Sequence, residues 1–203
     1  MSKKTEILEA ATFLFANKGF KETTMSEVAS MTGTAGSNIF YHYKTKEDIF
    51  LAILKNTKDE LLFEFETYLR QNRFTNGLEM LESTIAFYLN LAGARRELFM
   101  LLHHRFPYEL AAVNPTCREH LEAIYTCFVD LFEKAIQLGQ EDGSIVQASA
   151  RKSALLIFAM VDGVVRFNTY NLYEAGALYE ELMGSCRRML QANPGDKNRS
   201  ATC

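Results

Sequence analysis

The chain has 203 residues, of which 48% are hydrophobic and 12% aromatic, and its net charge at neutral pH is −3. This composition supports a packed core and disfavours a disordered chain, and the length admits one large domain or a small domain joined to a larger one. No apolar run reaches the roughly 20 residues of a membrane-spanning helix, and the N-terminus lacks the apolar segment of a secretory signal. We therefore expect a cytoplasmic protein with no membrane partner.

Charge is distributed unevenly along the chain. Residues 1–46 contain six lysines and four glutamates, a net charge of +2, so the remainder carries −5. A slightly basic head on an acidic body fits a small module that faces a nucleic acid, although two charges alone indicate little.

The predicted fold class is all-α, because apolar residues recur at helical spacing and no alternating run predicts a strand. A first helix ends at Gly19, which is a suitable residue for a helix C-terminus. The segment from Thr24 to Glu27 has the pattern of a capping box, which predicts the start of a short second helix. A turn at residues 32–34 leads to another short helix over about 35–42.

Thr45 and Asp48 repeat the capping pattern and predict a long fourth helix that ends near Gln71. Five more helices complete a fold of about nine, at about 78–89, 97–104, 117–139, 149–171 and 174–191. The segment between Phe106 and Pro115 is predicted to be a bend or loop. Residues 192–203 contain no apolar run and are predicted to be a disordered tail.

The segment over residues 154–167 is apolar on nearly all sides, which requires cover all round. We expect one side to face the chain's own core and the other to meet a second copy, so that two helices from each copy form a four-helix interface. The alternative is a core helix within one chain. The predicted homodimer interface comprises Phe158, Gly163, Leu178, Leu182, Met183 and Cys186.

Two short helices joined by a glycine turn, after one longer helix, have the layout of a helix-turn-helix DNA reader. Residues 33–48, GTAGSNIFYHYKTKED, and the preceding GFKETTMSEVASMTG resemble the signature of the TetR (tetracycline repressor) family. The resemblance covers about residues 5–50, a quarter of the chain. It implies a three-helix DNA-binding head over residues 1–46 and a larger helical body over 47–191 for effector binding and dimerisation.

The resemblance implies a role for each matching residue of the head. Thr24 and Ser26 touch phosphate, Asn38 reads a base, and Lys46 binds phosphate through its charge and the helix dipole. The sequence departs from the family pattern at Ala35, at the order of Gly36 and Ser37, and at Phe40, which lacks a tyrosine hydroxyl. Asn38 could instead be solvated, His42 structural and Phe40 core. The predicted DNA-binding residues are Thr24, Ser26, Thr34, Ala35, Gly36, Ser37, Asn38, Phe40, Tyr41, His42 and Lys46.

The resemblance also implies a repressor that binds a palindromic operator in double-stranded DNA as a dimer and leaves it when a small molecule enters the body. The long helix from Thr45 acts as the lever between head and body. Aromatic and sulfur side chains favour a mostly apolar effector of unknown identity, although an ordinary core or surface position is the simpler explanation for any one of them. The candidate ligand residues are Phe87, Tyr88, Phe99, Met100, His103, Tyr125, Phe128, Phe158, Asp162 and Arg166.

Other classes of function find less support in the sequence. No catalytic or nucleotide-binding motif is present, and His103-His104 has no partners at metal-ligand spacing, so we expect no enzyme, no cofactor and no metal. The alternatives are a helical protein-interaction module, or a redox-sensing regulator that uses its cysteines and has no small-molecule effector. The cysteines are Cys117, Cys127, Cys186 and Cys203.

Overall fold

A computed structural model describes the backbone of residues 2–33 and 36–191, and the side chains of these ranges except those of 36–38. Thr34, Ala35 and the predicted tail at 192–203 lie outside the described residues. Within the described part the chain forms ten α-helices, one short 3₁₀ helix and no strand, which confirms the all-α prediction. None of the described helices is long and apolar enough to cross a membrane.

The helices follow one another with short connections. They are α1 (Lys3–Asn17), α2 (Met25–Met31), α3 (Gly36–His42), α4 (Lys46–Gln71), α5 (Gly77–Ala94), α6 (Arg96–His103), α7 (Arg105–Ala111), α8 (Pro115–Asp142), α9 (Ala150–Thr169) and α10 (Tyr179–Leu190), with the 3₁₀ helix at Ala175–Leu178.

The prediction of a bend or loop between Phe106 and Pro115 is wrong, because α7 occupies most of that segment. Pro107 is the third residue of α7, where a backbone N–H has no partner within the helix, so its absence costs no hydrogen bond. Pro115 is the first residue of α8, the helical position that favours proline most. Both prolines lie at helix beginnings, where they do not interrupt a helix. Helix α7 can therefore form in the segment predicted to be a loop.

The predicted helix starts and stops in the head are confirmed. Thr24 accepts a hydrogen bond from the Glu27 N–H, and the Glu27 carboxylate accepts one from the Thr24 N–H, which completes the capping box. Thr45 and Asp48 form the same reciprocal pair at the start of α4. Gly19 and Gly33 have φ angles of +99° and +60°, a conformation that glycine adopts without strain.

The chain divides into two compact units. Unit 1 comprises residues 1–68 and 95–125, and so contains α1 to α3, most of α4, α6, α7 and the first part of α8. Its centre is a cluster of phenylalanines: Phe20 stacks on Phe106 with centroids 3.7 Å apart, and Phe15 and Phe50 lie 5.0 and 5.9 Å from Phe20. The end of the DNA-binding head at residue 46 stays a prediction.

Unit 2 comprises residues 69–94 and 126–203. In it α5 packs on α9, and α9 packs on the 3₁₀ helix and α10. The Arg187 guanidinium pairs with the Glu82 carboxylate and so ties α10 to α5. Its buried core includes Leu81, Ile85, Tyr88, Phe128, Phe132, Ile136, Ile157, Val161, Leu182, Met183 and Cys186.

Two glycines of α5 should respond in opposite ways to alanine. A Cβ on Gly77 would lie 2.0 Å from the Gly139 nitrogen and 2.6 Å from the Ala135 oxygen, whereas a Cβ on Gly93 meets nothing within 4 Å. We expect Gly77→Ala to lower the free energy of unfolding by about 3 kcal/mol, since backbone atoms cannot move aside. Gly93→Ala should be neutral or raise it by up to about 1 kcal/mol.

Urea unfolding of the two variants, followed by circular dichroism, measures both effects. Equal effects of the two substitutions would contradict the close approach of α5 to α8 at Gly77.

Candidate nucleic-acid interface

The N-terminus of α2 is a rigid, capped end. The Glu27 carboxylate accepts hydrogen bonds from the Lys18 ammonium and from the backbone and side chain of Thr24, and these lower its pKa from 4.5 to about 2. Because the folded pKa is the lower one, this contribution to stability is present above pH 4.5 and is lost as the pH falls towards 2. Ser26 lies exposed in the first turn of α2. Thr24 and Ser26 are therefore exposed at a helix N-terminus, the end of a helix whose dipole favours an anion.

The apolar and aromatic residues 39–43, at the end of α3 and just after it, separate into a buried set and an exposed set. Ile39 is fully buried and Tyr43 is 7% exposed, whereas Phe40 is 48% and Tyr41 78% exposed. His42 is half-buried, and its ring lies edge-on to that of Tyr41 at 5.2 Å. The exposure of Phe40 excludes the core alternative for this residue. Of the remaining predicted contacts, Thr34 and Ala35 lie outside the described residues, as do the side chains of Gly36, Ser37 and Asn38.

Lys46 makes contacts that its place in the motif did not predict. Its Nζ donates to the carbonyl oxygens of Phe20, Lys21 and Thr23 at 2.6, 3.2 and 2.5 Å. An ammonium has three donors, so all three are used within the protein. Lys46 therefore holds the connection between α1 and α2 against the start of α4, while its positive charge remains uncompensated by any of these neutral acceptors.

Lys44 and Lys21 are basic residues of the head that sequence reasoning did not select. The exposed Lys44 ammonium donates to the Phe40 carbonyl at 2.9 Å and so closes the end of α3. Lys21 is exposed and lies 3.8 Å from the Glu109 carboxylate. The pattern of lysines beside helix ends was visible in the sequence, but the side on which each would lie was not.

Helices α6 and α7 of unit 1 also contact the head. His104, between α6 and α7, hydrogen-bonds through Nε2 to the Ala16 carbonyl at 2.9 Å. The Asn114 amide donates to the Glu47 carboxylate at 2.8 Å, next to the start of α4. The head therefore packs not only on the long helix α4 but also on residues distant in sequence.

Four of the candidate ligand residues come together in unit 2. The Tyr88 ring lies 4.7 Å from Phe128 and 5.9 Å from Phe158, and the Tyr88 hydroxyl donates to Asp162 Oδ1 at 2.8 Å. Phe128 and Phe158 stack at 5.8 Å. Phe87 is half-buried and Arg166 is exposed. The result is an aromatic cluster with one half-buried carboxylate beside it.

The other candidate ligand residues, Phe99, Met100, His103 and Tyr125, belong to unit 1. Phe99 and His103 are buried with ring centroids 6.4 Å apart. The Tyr125 hydroxyl lies 2.6 Å from that of Tyr108. Among the residues that the structure describes, no group of three or more His, Cys, Asp or Glu side chains could hold a metal ion.

The predicted dimer residues fall into two groups. Leu182, Met183 and Cys186 are buried within unit 2 and are core residues of the protomer, and the half-buried Phe158 packs on the aromatic cluster. Leu178 is 36% exposed, and a Cβ on Gly163 would meet no atom within 4 Å. Only the second group is available to a partner without rearrangement.

Two of the cysteines are poorly suited to redox sensing. Burial raises the pKa of both Cys117 and Cys186 to about 11, with the charges of Glu47 and Glu82 as smaller causes. At neutral pH both are therefore thiols, and the thiolate is the reactive form. This disfavours a redox switch at these two positions.

Comparison with known proteins identifies the head. Residues 7–53 match the bacterial regulatory proteins of the tetR family. The transcriptional repressor BepR of Brucella suis is 28% identical over 164 residues, which cover 77% of this chain and 76% of BepR. By this match, residues 7–53 belong to the tetR family. The relatives that it matches are helix-turn-helix transcriptional regulators.

Solved structures of regulators share the fold of this chain. A Saccharomonospora viridis regulator in complex with choline has a TM-score of 0.82 at 21% identity, over 94% of this chain and 98% of that one. FadR of Bacillus subtilis in complex with stearoyl-CoA has a TM-score of 0.74 at 21% identity, over 91% and 97%. At these identities the likeness establishes the fold.

Removing the Lys46 ammonium should destabilise the head. We expect Lys46→Met to lower the free energy of unfolding by about 2 kcal/mol, because three carbonyls lose their donor. Lys44→Met removes the same charge from an exposed lysine with one carbonyl partner, and should cost less than about 1 kcal/mol. Urea unfolding without DNA measures both, and equal losses would contradict the structural role of Lys46.

Proposed function

We propose that this tetR-family protein is a transcriptional repressor whose dimer binds a palindromic operator and leaves it when a small, mostly apolar molecule binds the helical body. The observation that carries the proposal is the division of the segment 39–43 at the end of α3, in which Ile39 and Tyr43 are buried while Phe40 and Tyr41 are exposed. An exposed aromatic pair has no role in the core of a free head. On the face of a recognition helix, it can lie against sugar-phosphate and thymine methyl groups.

Phosphate contacts would come from both sides of α3. Thr24 and Ser26 lie at the N-terminus of α2, where free N–H groups and the helix dipole favour an anion. Tyr41 and His42 lie at the end of α3, and Lys46 adds an uncompensated positive charge at the start of α4. Phe40, without a hydroxyl, is assigned an apolar contact only.

Asn38 is the proposed base reader, since a carboxamide pairs bidentately with adenine. Asn38→Ala should weaken binding to the cognate operator by about 1–3 kcal/mol and leave binding to unrelated DNA unchanged. Selection of bound duplexes from a random pool supplies the operator, and fluorescence anisotropy measures both affinities. Equal losses on the two DNAs would show that Asn38 does not read a base, and selection of no palindrome would contradict the dimeric repressor.

The proposed dimer uses the exposed face of α9. Leu155, Ala159, Gly163 and Phe167 follow one another at intervals of four residues, and so lie on one side of the helix. Leu155 is 48% and Phe167 36% exposed, and the open space at Gly163 admits close approach of a partner helix. On α10 and the preceding 3₁₀ helix, Leu178, Tyr179 and Met189 are also exposed. A two-fold pairing of this face would cover it.

A charge on this face should separate the protomers. Leu156 on α9 is 59% exposed and Val113 in unit 1 is 80% exposed, so Leu156→Glu and Val113→Glu place the same charge on two exposed apolar positions. We expect Leu156→Glu to weaken dimerisation at least about tenfold, since burying an unpaired carboxylate costs well over 1 kcal/mol. Sedimentation equilibrium should show no change for Val113→Glu. A wild-type monomer at micromolar concentration would contradict the dimer itself.

The proposed effector site is the aromatic cluster of Tyr88, Phe128 and Phe158, with Asp162 beside it. Its rings favour an apolar or aromatic group, and the hydroxyl–carboxylate pair supplies the few polar groups that orient a ligand. Two proteins that share the fold were solved with stearoyl-CoA and with choline, which supports a small-molecule effector without indicating which one.

A further inference from the structure

Unit 1 contains a groove of about 400 Å³ between α1, α4 and the start of α6. Its volume lies in the range of small-molecule sites. None of the predicted effector residues lines it. It joins a helix of the head to two helices outside the helix-turn-helix.

Apolar side chains form much of the groove. Leu8, Ile53 and Leu98 line it and are each at most 8% exposed, so they present a fixed apolar surface. Phe13 also lines it and is 44% exposed, which leaves part of its ring open to an occupant. These four side chains can cover the hydrocarbon part of a ligand.

The charges in the groove are unbalanced. Arg95 is occupied, because its guanidinium pairs with the carboxylates of Glu60, at 2.6 Å, and Glu64. Burial by itself lowers the pKa of Arg95, but the hydrogen bonds and charges of these two glutamates outweigh it and raise the pKa overall. Glu9 and Glu97 line the same groove, and their carboxylates form no ion pair or hydrogen bond with any residue that the structure describes.

We propose that this groove binds an amphipathic organic cation. Its ammonium group would lie near the carboxylates of Glu9 and Glu97 and the face of the Phe13 ring, which attracts a cation through its quadrupole. Its hydrocarbon part would lie on Leu8, Ile53 and Leu98. An anion of the same size meets two uncompensated carboxylates and is excluded by repulsion.

Three probes separate the parts of this proposal. Octyltrimethylammonium has both the cation and the hydrocarbon chain, octyl sulfate reverses the charge, and tetramethylammonium lacks the chain. Isothermal titration calorimetry of the full chain without DNA should detect the first at submillimolar to millimolar concentration. The other two should bind at least about tenfold more weakly.

Methyl resonances locate the bound cation. In protein labelled at isoleucine and leucine methyl groups, octyltrimethylammonium should shift the resonances of Leu8, Ile53 and Leu98. Ile157 and Leu182, in the core of unit 2, should stay unchanged. Shifts confined to unit 2 would overturn the assignment.

Matched variants test the carboxylates and the ring. Glu9→Gln/Glu97→Gln should weaken binding of octyltrimethylammonium about tenfold, which is the combined effect of two partly exposed charge pairs. Glu66→Gln/Glu119→Gln removes the same charge from exposed positions of unit 1 outside the groove and should leave the affinity unchanged. Phe13→Leu should weaken binding about threefold.

Equal affinity for octyl sulfate, an equal loss in the two glutamine double variants, or no binding at millimolar concentration would each refute the cation site. The titration needs no DNA, and the methyl resonances show where the cation binds. A failure of this proposal is therefore distinct from a failure of operator binding or of effector binding in unit 2.

Discussion

The packing around Phe20 is the constraint on which the rest of unit 1 depends. Its ring stacks on Phe106, lies near Phe15 and Phe50, and is 4.8 Å from the Lys46 ammonium. The connection between α1 and α2 has no regular structure, yet three of its carbonyls accept hydrogen bonds from Lys46. Because this short segment is held on both its apolar and its polar side, α2 and α3 leave it in a defined direction, and the exposed rings of α3 keep a defined place.

The same lysine connects the stability of the head with the DNA contact proposed for it. A positive charge whose donors are all used by neutral carbonyls is held in place, while its field still extends to a nearby phosphate. Lys46 therefore contributes to the fold of the head and, in the proposed complex, to the binding of phosphate. The contacts of His104 with Ala16 of the head and of Asn114 with Glu47 of α4 extend the constraint to the part of unit 1 that follows α5 in the chain.

The two small-molecule sites proposed for this protein differ in how their charges are balanced. In unit 2 the Asp162 carboxylate already accepts a hydrogen bond from Tyr88 among packed rings, so a ligand there competes with an existing partner. In the groove of unit 1, Glu9 and Glu97 have no partner among the described residues, so a cation can approach them without breaking a pair. The proposed site in unit 2 would therefore select its ligand by shape, and the groove of unit 1 would select its ligand by charge.

The sequence by itself determined the all-α class, the capped starts of α2 and α4, and the helix-turn-helix signature of the tetR family. These features depend on residues within about four positions of one another, or on helical period. Only the tertiary structure decided what meets across long separations: the carbonyls that Lys46 reaches 23 to 26 residues away, the burial of Leu182, Met183 and Cys186, and the groove between α1, α4 and α6. Periodicity places a residue on a face, but the neighbour that covers that face depends on the packing of the whole chain.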